Sequence, residues 1–540
     1  MKYTFKRNSS IGAMDAESDE KYLSECFYDT GDLNTLLDCE EPRRIVVGRV
    51  GAGKSALIQR MKLGTSNAFE VKAEDLSLNH IANSDIIQFF EKAGVKLDIF
   101  YQLLWKHVFV VELLRRRYKV TEKDSKSHWK SLVDVFSKDP AKERALRYIE
   151  QWGDKFWQDT ELRVKEFTAK LEEQLSGAID AKAFGISLSA KGAESLSEET
   201  RAEVVHKAQS IVNANQVREL GEIVSLLADE IFVDPMNRYY LLIDRLDEAW
   251  VDDAVRYKLI RALIETCRSF QRVRSVKIVI AIREDLLRIV FDSTRDAGFQ
   301  EEKYESLFLR LRWKKHQLQE LVELRLNRLI REQYTSKQVM FNDVFKTEVR
   351  RENALDYLVD RSLHRPRDII SYINCCLDIS EGKEYISPSA IQDAEKAYSL
   401  GRLRSLIDEW RSHYPNLQLA FEIIRGRPGS FKYSEITDQD LSKFMEAIFN
   451  DLAGEDLLRR TITDYVNNTR TPSNCLMQIF KILYEVSAVG IKPQSTDKVS
   501  WVHLGDRGIT EGQYKNSSTI AIHKMLWRAL EVSIPPRVTK

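Results

Sequence analysis

An α/β fold is what this sequence predicts: a parallel sheet interrupted by a long helical insertion and followed by further helical segments. Three observations carry that expectation. A short apolar run, Ile45 to Val47, enters a glycine-rich turn and then a helical pattern. Two more apolar runs, Tyr239 to Ile243 and Val276 to Ile282, end in charged residues and lead toward amphipathic helices. Between the first run and these two lies charged sequence with apolar residues at helical spacing. Strands separated by helices, with polar residues at the strand ends, describe a parallel sheet whose site lies at its carboxyl edge.

Residues 1 to about 42 begin polar and then carry YLSECFYDT and LNTLL, a helix and a turn leading to the first strand. Phe27 and Tyr28 read as packing for this entry segment, with stacking near an adenine as the second reading. The segment Gly48 to Ser55, GRVGAGKS, fits the spacing of a glycine, four residues, a second glycine, lysine and serine or threonine. Such a turn wraps a polyanion with backbone N–H groups, which requires positions without a Cβ, and Gly48, Gly51 and Gly53 supply them. The phosphate-binding stretch is therefore Gly48, Gly51, Ala52, Gly53, Lys54, Ser55 and Ala56. Lys54 is expected at the β- and γ-phosphates and Ser55 at Mg²⁺. The helix that follows points its N-terminal end at the phosphates. Phe69 to Lys72 is expected as a second short strand.

From 81 to 233 the sequence predicts a helical insertion between two pieces of one core, 1–80 and 234–314. Its stripes are Leu103, Leu104, His107, Val108, Val111 and Leu114, then Val164, Phe167, Leu171 and Leu175, then Val204, Ala208, Ile211, Val217, Leu220 and Val224. Between the last two stripes, AKAFGISLSAKGAESLSEET alternates like a strand or exposed ribbon. Arg115, Arg116 and Arg117 form the sharpest basic run. A charge run is usually a solvated helix face, and nucleic-acid contact is its second reading.

The strand Tyr239 to Ile243 delivers Asp244 to its carboxyl end, where a carboxylate holds Mg²⁺ through water. Asp247 and Glu248 follow in LLIDRLDEAW, and either acid suits the orientation or deprotonation of an attacking water. Glu248 is the preferred base. A helix spans roughly 252 to 271. The strand Val276 to Ile282 then carries Arg283 at its tip, placed to sense a γ-phosphate or to pair with Glu284, Asp285 or an acid of the preceding strand. Phe308 to Trp313 is a further strand before the helix KKHQLQELVELRLNRLI. Residues 315–400 form a helical lid in which Arg365 and Arg367 flank Pro366 at a helix start, within reach of phosphate. Residues 401–540 form a C-terminal helical, winged-helix-like domain: a helix over 474–487, a wing made by VGIKP and KVSWVHL, and a closing helix TIAIHKMLWRAL.

Composition narrows the partners. The 540 residues are 43% hydrophobic, enough for about three domains with sizeable cores. Lys plus Arg and Asp plus Glu both number 82, so no net field draws the whole molecule to nucleic acid or acidic lipid. No apolar run approaches a membrane span and the N-terminus has no signal-peptide core, so a cytoplasmic protein without a membrane anchor is expected. The six cysteines are scattered, which points to reduced thiols.

Together, GRVGAGKS, LLIDRLDEAW, IVIAIRED and HRPRDII resemble the bacterial P-loop ATPases related to the STAND and KAP groups, within the AAA-like (ASCE) division. The resemblance covers roughly residues 12–400. It implies a P-loop NTPase core that binds ATP and Mg²⁺, with Asp244 at the metal, Asp247 and Glu248 in hydrolysis, Arg283 as a sensor, and Arg365 and Arg367 near the nucleotide. One departure stands out: Arg245 follows Asp244, where many members carry the catalytic glutamate. The resemblance further implies a nucleotide-dependent switch in signalling or phage defence, with an effector supplied by a protein partner in trans. A homo-oligomer is also implied, because such ATPases often complete a site with a neighbour's arginine. A GTPase is disfavoured, since Thr121-Glu122-Lys123-Asp124, the near match to a guanine motif, has the wrong spacing. A small-molecule kinase would be shorter and would lack the paired acids. A nucleic-acid-remodelling ATPase and an ATP-binding scaffold with little turnover are the alternatives.

Overall fold

Three short, nearly continuous apolar runs decide the architecture of the sheet. The computed structural model describes residues 3–72, 97–119, 140–152, 216–248, 250–251, 253–295, 300–331, 338–345, 348–506, 508–514 and 518–533, together with 92, 94 and 198. The chain is a mixed α/β protein of two compact units. The sheet unit comprises Asp29–Arg49 and Lys54–Leu311, and the helical unit comprises Met1–Tyr28, Val50–Gly53 and Arg312–Lys540. The expected stripes Val164 to Leu175 and Val204 to Ile211, the ribbon over 181–200, apart from residue 198, and Thr121–Asp124 lie outside the described residues.

In the sheet unit, β1 (Ile45–Gly48), β2 (Ala68–Glu70), β3 (Tyr239–Ile243), β4 (Val276–Arg283) and β5 (Phe308–Arg310) pair in the order β2-β3-β4-β1-β5. Every pairing is parallel, with Ile45 opposite both Ile280 and Phe308 and Gly48 opposite Arg283. Strands covered on both faces read as continuous apolar runs, and β1 and β3 are buried at every position. Ile45, Val47, Leu241, Ile243, Ile278, Ile280 and Ile282 share one core with the helices Asp98–Tyr118 and Asp253–Ser269. By the two-residue alternation of strands, Val46 and Val279 face the other side, where the helix Lys54–Gly64 packs on β1 and β4.

The helix Asp98–Tyr118, expected within the insertion, belongs to this same core. Trp105 is fully buried and donates its Nε1–H to Leu259 O at 2.9 Å, and Phe109 meets Phe270 edge-on at 5.3 Å. Each buried aromatic removes about 150–250 Å² from water, an upper bound of about 4–6 kcal/mol. Burial on that scale makes the helix part of the sheet's own packing.

The order of the strands also places the crevice. From β1 the chain crosses to the far edge strand β2, then returns through β3 and β4 to β5 in the opposite direction. Right-handed crossovers put the connections after β1 and β4 on opposite faces, which opens a crevice at the carboxyl ends of these neighbouring strands.

In the helical unit, the helices Pro366–Ile379, Pro388–Trp410 and Pro472–Glu485 all begin with proline, whose missing N–H costs nothing in a first turn. Ser387 and Thr471 cap two of them. Tyr372 and Tyr398 stack at 4.3 Å between the first two. A short hairpin, β6 (Glu348–Val349) and β7 (Glu352–Asn353), is joined by Arg350 and Arg351. A second sheet, antiparallel and ordered β8-β10-β9, is made by β8 (Ser430–Lys432), β9 (Val489–Lys492) and β10 (Thr519–Ile522). Three helices, Asp438–Ile448, Leu457–Val466 and Pro472–Glu485, fall between β8 and β9.

That sheet corrects the expected wing. TIAI is a strand rather than the start of a helix, because Ile520 and Ile522 alternate into the core and Ile520 pairs with both Phe431 and Ile491. In KVSWVHL, Ser500 bridges to Ile491 and the chain then turns into the short helix Val502–Leu504. Among the described residues, no helix is long and apolar enough to cross a membrane. All six cysteines are free thiols.

Candidate functional site

In the sheet unit, the polar residues expected at strand ends do gather at the carboxyl edge. Gly48 ends β1, Asp244 follows β3 and Arg283 ends β4, and the pairing register brings β1 and β4 level there. Lys54 opens the helix after β1, and its ammonium donates to Gly48 O at 2.9 Å and Arg49 O at 3.1 Å. Burial pushes the Lys54 ammonium below its ordinary pKa, while Asp244, Asp247 and Asp285 pull it back and Arg283 adds to the depression. Burial likewise pushes the Asp244 carboxyl up, opposed by a hydrogen bond to Ser55, the Arg245 N–H and the charge of Lys54. Lys54, Ser55 and Asp244 are thus one electrostatic group.

Arg245 donates its backbone N–H to Asp244 Oδ1 at 2.8 Å and has φ of +60°, a left-handed conformation that side-chain-bearing residues rarely adopt. Strain of this kind concentrates at functional sites. Asp247 and Glu248 follow on a loop, since the next helix begins at Asp253. Arg283 donates to Asp247 at 3.2 Å and grips Asp285 with two bonds, at 3.1 and 2.6 Å. Glu248 pairs more loosely with Arg245, at 3.8 Å. Asp247 therefore joins the charge cluster around Lys54. Asp285, read from the sequence only as a salt-bridge partner, is a full member of the cluster.

A hydroxyl and a buried carboxylate make a donor set suited to Mg²⁺, a cation that takes few protein ligands and keeps waters or phosphate oxygens for the rest. Among the described residues, no group of three or more His, Cys, Asp or Glu is placed to hold a metal. The pair Ser55 and Asp244 fits a cation that shares its coordination with a substrate better than one caged by protein.

The helical unit holds the tip of the glycine-rich turn, Val50–Gly53. Gly51 and Gly53 have φ of +76° and +100°, as the motif requires. A Cβ on Gly51 would lie 2.6 Å from Arg367 Cβ, so the position has no room for one. Trp313 donates Nε1–H to Ala52 O at 2.8 Å, and Tyr28 sits beside Trp313 with ring centres 6.1 Å apart. Arg365 is 2% exposed. Its guanidinium donates to Val50 O at 2.6 Å, to Asp368 at 2.9 and 3.0 Å and to both Glu409 oxygens at 3.2 Å. Arg402 approaches the same Asp368 at 3.3 Å. These bonds tie Arg365 to the tip of the turn. Arg367 donates its backbone N–H to Gly51 O and its side chain to Met14 O. Ala56 lies in the helix after Lys54.

Each arginine of the basic run has a partner. Arg115 pairs with Glu112, Arg116 donates to Ser66 O and Arg117 to the Tyr239 hydroxyl, all within the sheet unit.

Two similarities to known proteins bear on the chain. Residues 316–407 match a family described as the FunZ-associated C-terminal helical domain, nearly the span expected as a helical lid, and Arg365 and Arg367 fall within it. Over 539 residues, or 98% of this chain and 68% of the other, the sequence is 24% identical to a transposon gamma-delta 80.3 kDa protein of Escherichia coli strain K12. That protein is a distant homologue.

Proposed function

We propose that the chain is an ATP-binding and ATP-hydrolysing P-loop ATPase that acts as a nucleotide-dependent switch for a protein partner. The observation that carries the proposal is the convergence of Lys54, Ser55 and Asp244 at one sheet edge; in the chain just before Lys54, Gly51 and Gly53 have the backbone a phosphate cradle needs. In this account the N–H groups from Gly51 to Ala56 hold the phosphates, and Lys54 exchanges its loop carbonyls for the β- and γ-oxygens. Mg²⁺, held by Ser55 and Asp244, supplies charge neutralisation at the phosphates. Asp247 orients the attacking water, with Glu248 as the other candidate. Arg283 exchanges its bond to Asp247 for a γ-oxygen and so reports the triphosphate. Arg365 and Arg367 transmit the state of the turn's tip into the helix Pro366–Ile379. Membership of the STAND- and KAP-related group is part of the proposal and rests on the motifs alone.

The test compares phosphate release by the wild type, Asp247→Asn and Glu248→Gln. Loss of a group that handles the attacking water lowers kcat about 10²- to 10⁴-fold. The larger loss is expected for Asp247→Asn, and wild-type rates in both variants would sink the catalytic assignment.

A further inference from the structure

Away from the glycine-rich turn, the helical unit contains a cavity of about 1120 Å³. Its walls come from the β6–β7 hairpin, from β8 and β10, and from the segment after β9. Planar side chains dominate its chemistry. Trp501 and His503 lie 5.5 Å apart, His503 and His523 4.9 Å apart, and Trp527 lines the same space. Two glycines seat the indoles. A Cβ on Gly490 would come within 2.5 Å of Trp501, and one on Gly429 within 2.9 Å of Trp527.

The charge is equally specific. Lys524 is paired with Asp360 at 2.6 Å and Arg361 with Glu395 at 3.0 Å, so these cations are already neutralised. Arg350 and Arg351 are exposed at the rim, and Arg350 donates to the neutral Gln392 at 3.0 Å. They form the two-residue loop of the hairpin with φ of +51° and +65°, the type I′ pattern that ordinarily selects Asn-Gly. His364, with φ of +50°, lines the cavity as well. Three of the nine non-glycine residues with positive φ among the described residues thus meet at one cavity.

We propose that this cavity binds an unpaired segment of nucleic acid, with bases stacked on Trp501 and Trp527 and phosphates held by Arg350 and Arg351. Aromatic platforms beside a basic rim are the chemistry of single-strand binding. The volume exceeds the roughly 300–1,000 Å³ of an ordinary small-ligand pocket, which suits a strand of several nucleotides better than one free nucleotide. An acidic peptide would use the arginines and leave the indoles without a role.

The experiment uses the full chain without ATP and follows the anisotropy of labelled oligothymidylate and oligouridylate across a salt series. Either strand is expected to bind. Trp501→Ala weakens it about 5- to 100-fold, the loss of one stacked base, with the salt slope unchanged. The double variant Arg350→Asn and Arg351→Gly lowers the salt slope by about 1.4, two phosphate contacts at about 0.7 each. That variant suits the turn better than the native pair, so its melting temperature stays level or rises while binding falls, which separates function from folding. Absence of strand binding overturns the proposal. So does binding indifferent to both variants, or equal displacement by thymidine monophosphate or by polyglutamate.

Discussion

Replacing Asp368 by asparagine preserves shape and removes one charge from the most buried ionic network in the helical unit. Asp368 is fully buried between Arg365 and Arg402, and Arg365 in turn holds Glu409 and Val50 O. Burial raises the Asp368 carboxyl, but Arg365, Arg402 and the Leu363 N–H outweigh it and hold the group at about 2, against an ordinary 3.8. At 1.36 kcal/mol per unit, that depression corresponds to about 2 kcal/mol. Because the folded pKa is lowered, this stability is present above pH 3.8 and is lost as pH falls toward 2. At pH 7 the cost of Asp368→Asn is larger, about 3–5 kcal/mol, since two buried arginines lose a shared carboxylate. Urea unfolding from pH 7 to pH 2, with hydrogen exchange in the helix Pro366–Ile379 as the local readout, measures both. A cost below about 1 kcal/mol at pH 7 refutes the reasoning. A gap between variant and wild type that fails to narrow below pH 4 refutes it equally.

Two further outcomes follow from the turn and its acid. Asp244 is a buried carboxylate with a raised pKa, so its ionisation weakens the unliganded protein as pH rises from 3.8 through the folded value. Asp244→Asn is therefore expected to melt higher than the wild type at pH 7 without ligand and to lose the Mg²⁺-dependent shift on adding ATP; a lower unliganded melting temperature would count against it. Gly51→Ala places a Cβ at φ of +76° and 2.6 Å from Arg367 Cβ. The conformational strain alone is about 1–2 kcal/mol, and displacement of Arg367 adds to it, so both melting temperature and ATP affinity fall; wild-type values for both would contradict the assigned backbone.

Much of the sheet was legible because its signals are local. Val276 to Ile282 is an apolar, mostly β-branched run too short for a helix, and it forms β4. Gly51 and Gly53 occur where a phosphate turn needs positive φ, and both adopt it. What stayed hidden depends on partners distant in sequence. Apolar spacing shows that 98–118 is a helix, but not that Trp105 reaches Leu259. Arg365 reads as a phosphate ligand, and the sequence does not show its bond to Glu409, 44 residues later. Glu248 reads as the better base, and the sequence does not show that Arg283, 36 residues after Asp247, bonds to Asp247. Arg350-Arg351 carries no turn signature, because it breaks the residue preference of the turn it makes.

Lys54 is proposed to meet a triphosphate. A calorimetric titration of wild type and Lys54→Ala with ATP in the presence of Mg²⁺ tests it most directly. Saturable binding by the wild type is expected, weakened about ten- to a hundredfold in the variant by loss of a charge-assisted hydrogen bond of about 1.5–3 kcal/mol. Equal affinity for both proteins, or no heat of binding for the wild type, would contradict the account.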